Sequence, residues 1–210
     1  MKNFSIKESF QFGWETFKKN GKFLIRLFFV IWLPIIILSF AAEELQKGAT
    51  PIAFLINAGI LVWGIIISIG LVRISLRYVD NEKAVWSDLF SHVRLFWDFI
   101  LGSLLYSIII MCGLILFIVP GIIWAIQFSF FRYGIVDKDI GPLEALKRSS
   151  TITKGVRSHL LLFFVCVGIT NLLGALAFGV GLFLTVPVTL FASAFVYRKL
   201  LSQTTTRLET

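Results

Sequence analysis

Few residues in this chain have the type and spacing to do chemistry. Asp137 and Asp139 form an Asp-x-Asp, a pair able to hold a divalent ion against a phosphate. It falls in a short turn with no partner motif, so a solvated turn accounts for it. His92 and His159 belong to no His-Glu-x-x-His pattern and lack ligand spacing, which makes them interfacial residues rather than a metal site. Cys112 and Cys166 each sit inside an apolar run and read as small packing residues, not as a disulfide or metal pair. Glu43-Glu44 has Gly48 where a metalloprotease-like glutamate pair needs an arginine, so it reads as a solvated helix end. No Walker or dinucleotide fingerprint occurs. The expectation is a protein that is not an enzyme, with no catalytic residue, cofactor or metal.

Polar side chains inside apolar runs are the next pointer, because unpaired polarity in hydrocarbon is costly. They include Asn57, Ser68, Ser103, Gln127, Asn171, Thr185 and Thr189, none of them ionisable. That argues against proton-coupled transport. Asn57, Gln127 and Asn171 are the expected intramembrane polar contacts, each contributing roughly 0.6–2 kcal/mol across helices. The alternative they leave is a transporter or pore for a small or amphipathic solute.

These residues must be positioned by membrane helices. The chain is 57% hydrophobic and only 15% charged, with mean hydropathy +0.87. Phe99 to Phe131 and Leu160 to Tyr197 run for 33 and 38 residues without an acidic or basic side chain. About 20 helical residues cross a bilayer, so each stretch is a pair of spans. Leu27 to Ala42 and Ile52 to Val72 supply two more. Pro120 and Gly121 are the expected break of the first stretch, Gly179 and Gly181 of the second. Spaced glycines, including Gly64, Gly70 and Gly174, are expected to let helices approach closely.

Segments 1–26, 73–98, 132–159 and 198–210 hold 6, 4, 6 and 3 Lys and Arg, against Lys47 alone on the other side. This bias predicts both termini in the cytoplasm. No cleaved signal is expected from the first 22 residues. The net charge of +8 therefore suits anionic lipid headgroups at the cytoplasmic face, not nucleic acid.

The fold expected is all-α: six transmembrane helices in three hairpins, each preceded by an interfacial amphipathic helix. Ile6, Phe10, Trp14 and Phe17 make the first such stripe, behind a Ser5-x-x-Glu8 capping box; Trp86, Phe90, Val93 and Trp97 make the second. Pro142 opens the third, with Leu143, Leu146 and Ser150. At an offset of 136, Glu8 aligns with Glu144, Lys18 with Lys154, Leu24 with Leu160 and Phe28 with Phe164. A single domain of pseudo-threefold repeats is expected, at 1–79, 80–135 and 136–203, with a tail at 204–210.

Val119-Pro120-Gly121-Ile122-Ile123, then Asp137, then Glu144-Ala145-Leu146-Lys147-Arg148-Ser149-Ser150 and Thr153-Lys154-Gly155, carry a resemblance. The chain resembles bacterial six-helix membrane proteins of unknown function, similar to the membrane domain of glycerophosphoryl diester phosphodiesterases. The resemblance implies fold and an inner-membrane location, and it transfers no catalytic residues. Physically, Glu144, Lys147, Arg148 and Lys154 form an interfacial motif in which Glu144 could pair with a base one turn on. The functional expectation is a non-enzymatic inner-membrane protein acting through lipid or protein contacts, in envelope organisation or as a membrane module for a partner or a second copy of itself.

Overall fold

Apolar length makes the helices, and charge decides which ends meet. The computed structural model describes residues 3–46, 51–177 and 179–208; Lys47 and Gly48 lie outside them. The described residues are all-helical, without a strand. The elements are α1 (Ile6–Gln46), α2 (Pro51–Val79), two 3₁₀ turns (Trp86–Leu89 and Val93–Leu95), α3 (Phe96–Leu116), α4 (Ile118–Gln127), α5 (Phe131–Lys138), α6 (Pro142–Thr153), α7 (Arg157–Leu176) and α8 (Leu182–Leu208). Six segments are long and apolar enough to cross a membrane: Ile6–Leu45, Pro51–Val79, Trp86–Leu116, Ile118–Lys138, Arg157–Leu176 and Leu182–Thr205. Of the tail expected at 204–210, residues 204–208 continue α8, and the last two lie outside the described residues.

One end of the bundle collects the charge. Asn3 and Gln203 exchange hydrogen bonds, Lys199 pairs with Glu8, Arg198 pairs with Asp80 and Asp137, and His159 lies 3.0 Å from the Phe4 carbonyl. Both terminal segments and both long connectors thus converge. The core is organised on α8, which packs on α1, α2, α6 and α7. Phe191, Ala192, Ala194, Val196, Tyr197 and Leu200 on it are almost fully enclosed.

Local structure departs from expectation at the segments leading into the spans. Ser5 caps α1 as its sequence predicts, its Oγ accepting from the Glu8 amide at 3.2 Å. The fully buried line at the start of α1 is Ser9, Gly13 and Thr16, with Ile6, Phe10 and Phe17 of the aromatic stripe half-buried against the core beside it; a side chain at Gly13 would strike the Val188 carbonyl. Trp14 stays exposed beneath the Lys18 ammonium.

The second interfacial segment is not an α-helix. Asp88 accepts from the Val85 amide at 2.7 Å and from Arg77 Nη1 at 2.7 and 2.8 Å, and the Leu89 backbone lies against Gly70. That ion pair and close approach draw 86–95 into short 3₁₀ turns, with Trp86, Phe90 and Trp97 left outward. The third segment does form a helix, α6, but its enclosed face is Ala145, Leu146, Ser149, Ile152 and Thr153; Leu143 is exposed.

The break between the third and fourth spans falls at Phe117, extended at φ −160° and ψ 145°. Pro120 and Gly121 lie in the first turn of α4, where a missing amide proton costs nothing. Gly121 packs on Leu114 and Gly113, just as Gly174 and Gly181 meet across the turn between α7 and α8. A Cβ at Gly113 would sit 2.7 Å from the Trp124 ring and 2.8 Å from Gly121 Cα. Gly113→Leu is expected to cost about 1–3 kcal/mol. Gly59→Ala, which meets nothing within 4 Å, should leave the thermal unfolding midpoint in detergent unchanged or raised; equal midpoints for both variants would show that close packing at Gly113 is dispensable.

The three units are packed unequally, with the α1–α8 contact far more extensive than that of α3 with α2 or of α4 with α7. The pseudo-threefold expectation finds no support in that packing. The first and third units do share landmarks. Helices begin at Ile6 and Pro142, and the non-helical Asn20 (φ −115°, ψ 15°) matches Val156 (φ −130°, ψ 14°); both pairs are 136 residues apart.

Candidate functional site

The fourth apolar segment is broken at its middle, and the motif on α6 is what holds the break. The turn after Gln127 leaves backbone groups without helical partners. Ser149 Oγ donates to the Gln127 carbonyl at 3.0 Å and accepts from the Phe130 amide at 3.1 Å; Thr153 Oγ1 approaches the same carbonyl at 3.1 Å. Gln127 Nε2 donates to Ser150 Oγ at 2.8 Å. Non-helical backbone inside an apolar segment needs protein groups to satisfy it; Ser149 does so for both groups, while Thr153 shares its one proton between the Gln127 carbonyl and Ser149 O at 2.9 Å. Their only sequence signal was hydroxyls on the apolar face of a helix opened by Pro142.

The charged members of that motif point elsewhere. Glu144, Lys147 and Lys154 are exposed, and among the described residues Glu144 forms no ion pair with Lys147 or Arg148. Arg148 is half-buried with its Nε enclosed and unbonded.

Asp137 and Asp139 diverge. The Asp137 carboxylate is buried between Arg198 Nη1 at 2.7 Å and the Tyr197 hydroxyl, which donates at 3.0 Å. Asp139, in the left-handed conformation at φ 51°, faces outward to Arg94 at 2.6 Å. Each carboxylate therefore answers an arginine, and the two do not converge as a metal-binding pair. Arg198 also grips Asp80 through Nε at 2.9 Å and Nη2 at 2.6 Å, tying α8 to the ends of α2 and α5.

The three intramembrane amides are not brought together either. Asn57 Nδ2 bonds the Ala53 carbonyl of its own helix at 2.8 Å; Gln127 engages α6; Asn171 pairs with Thr189 of α8 at 3.3 Å. A solute path lined by all three has no geometric basis.

Clefts lie instead on the apolar flanks. Between α1, α2 and α8 is one of about 340 Å³, walled by Leu24, Leu27, Ile31, Trp32, Ile67 and Val186, with Ser68 its single hydroxyl. Trp32 and Val186 are 44% and 42% exposed, so it opens onto the apolar surface. One turn nearer the charged end of α1 and α2, a polar cleft of about 200 Å³ is lined by Glu15, Lys19, Asn20, Tyr78, Glu82 and Lys83.

The model of a family described as a domain of unknown function, DUF7847, matches residues 45–208, most of the chain. The chain belongs to the DUF7847 family. No curated protein and no solved structure matches it. The DUF7847 match takes in the α6 motif, the broken fourth segment and the Arg198 clamp, and it begins at the end of α1. The apolar cleft is thus built partly by α1, which precedes the DUF7847 region.

Proposed function

We propose that this DUF7847 protein is a multi-pass protein of the bacterial inner membrane that acts by holding lipid, with no chemistry of its own. Both termini lie in the cytoplasm, the spans run as three hairpins, and the charged end meets the inner leaflet. The observation that carries the reading is the apolar cleft between α1, α2 and α8, open sideways beneath a polar cleft bearing Lys19 and Lys83. An acyl chain fits such a wall; of the charged groups above it Glu82 is already paired with Arg77 at 2.9 Å, which leaves Lys19 and Lys83 against Glu15 for an anionic headgroup. Exposed Trp14, Trp86 and Trp97 near the charged end supply the aromatic side chains favoured at headgroup depth. The likeness of the Val119 to Gly155 motif to the membrane domain joined to glycerophosphoryl diester phosphodiesterases supports a role as a membrane module for a partner. The matching landmarks at an offset of 136 support an internal repeat of the first and third units.

The test is photolabelling in nanodiscs with a phospholipid carrying a diazirine on its acyl chain. Wild-type protein is expected to be labelled on α1, α2 and α8, more strongly by an anionic lipid than by a zwitterionic one. Val186→Trp, which fills the cleft from its open side, should suppress that labelling. Equal labelling of the variant and the wild type would remove the reading.

A further inference from the structure

Arg132 carries more than its place in a charged connector suggests. It is the second residue of α5, directly after the break in the fourth segment, and it is exposed. Its guanidinium lies 5.4 Å from the Phe99 ring and 5.6 Å from the Phe131 ring. Both are terminal residues of the first charge-free stretch.

Packing then lowers the group below the charged end. Arg132 borders a cleft of about 440 Å³ between α2 and α3, with Leu61, Gly64, Ile65, Ser68, Ile100 and Ser103. Ser68 and Gly64 precede Arg73 by five and nine residues, or roughly 7.5 and 13.5 Å along the helix. On its other side Arg132 borders a second cleft, of about 340 Å³, with Tyr106, Ser129 and Phe164. Among the described residues no carboxylate pairs with it: Glu8, Asp80, Glu82, Asp88, Asp137 and Asp139 answer Arg77, Arg94, Lys138, Arg198 and Lys199, and Asp98, next to Phe99 in the chain, forms no ion pair with it. A guanidinium at the edge of hydrocarbon requires an anion or water.

We infer that Arg132 binds the phosphate of a membrane phospholipid seated between α2 and α3, with an acyl chain along Leu61, Ile65 and Ile100. The planar guanidinium meets two phosphate oxygens at once, and the Phe99 and Phe131 rings hold it in place by cation–π contact. The cleft wall is apolar except for Ser68 and Ser103, which selects a lipid over free phosphate. This inference rests on the lipid-holding reading but concerns an adjoining cleft, which shares Gly64 and Ser68 with the α1–α8 cleft and is otherwise lined by different residues.

Native mass spectrometry of the full chain in detergent tests it, with Val186→Trp present throughout to close the α1–α8 cleft and with phosphatidylglycerol, diacylglycerol and inorganic phosphate as probes. Phosphatidylglycerol is expected to bind about tenfold more tightly than diacylglycerol. Arg132→Gln should abolish that preference, while Arg132→Lys keeps part of it. Arg94→Gln, altering an arginine already paired with Asp139, should leave it unchanged. Ser103→Trp, which fills the cleft with Arg132 intact, should also abolish binding, so a folding failure of one variant does not hide the result. An undiminished preference in Arg132→Gln, or displacement of the lipid by inorganic phosphate at equal concentration, would overturn the inference. If Arg132→Gln changes nothing while Val186→Trp still suppresses photolabelling, this site fails and the lipid-holding reading stands.

Discussion

Arg198→Leu is expected to destabilise the bundle by about 3–5 kcal/mol, because it strands a buried carboxylate. The Asp137 side chain is 4% exposed, and Arg198 Nη1 lies 2.7 Å from it. Tyr197 supplies one hydroxyl donor at 3.0 Å, and the Lys138 ammonium, 40% exposed, stays 3.6 Å away, beyond hydrogen-bond distance and too little to replace the guanidinium. Asp80, the other partner, is 39% exposed and returns to water at little cost. Most of the loss should therefore trace to Asp137. The double variant Asp137→Leu with Arg198→Leu is expected to recover part of it, since replacing both partners with apolar side chains removes the stranded charge. Unfolding by denaturant titration in detergent gives the three free energies. A loss below about 1 kcal/mol for Arg198→Leu alone would mean that the pair behaves as a surface ion pair.

Removing the hydroxyls that hold the broken fourth segment is the second strong perturbation. Ser149→Ala leaves the Phe130 amide without its acceptor and the Gln127 carbonyl without its closest side-chain donor, and adding Thr153→Val removes the hydroxyl that the same carbonyl shares with Ser149 O. Each buried backbone group left unmade costs about 1–3 kcal/mol. The double variant is expected to lose stability and to open locally first. Hydrogen exchange at residues 128–131 should accelerate well before exchange in α8, because Phe130 sits at the junction while α8 forms the centre of the core. Unchanged exchange at the junction would show that water or rearranged backbone satisfies these groups instead. Lys147→Gln, an exposed neighbour on α6, should change neither quantity.

How much of this was legible from residues alone follows from the range of the forces. Helical membrane segments are a one-dimensional property: 33 and 38 residues without charge leave no other way to satisfy the backbone in hydrocarbon. Turn position was less legible. Pro120 and Gly121 marked the right neighbourhood, but proline is as well suited to the first turn of a helix as to a break, and the chain turns at Phe117. The second interfacial segment misled for a different reason. Its aromatic spacing is helical, while Asp88 and Gly70 impose 3₁₀ turns through contacts with α2 that no local pattern records. Glu144 and Lys147 looked like a motif because charges stand out in an apolar chain, whereas the groups that hold the break are the quieter Ser149 and Thr153.

The helical class, the apolar segments and the gathering of lysine and arginine into four segments each depend on composition summed along a short length of chain, and so are legible from residues alone. What the polar groups do depends on packing between distant elements. That packing set Asp137 against Arg198 across 61 residues, separated Asn57, Gln127 and Asn171, and placed Arg132 beside two apolar clefts. The physical reason is that burial of apolar surface is additive and non-directional, whereas a hydrogen bond or ion pair depends on which distant side chain the packing delivers.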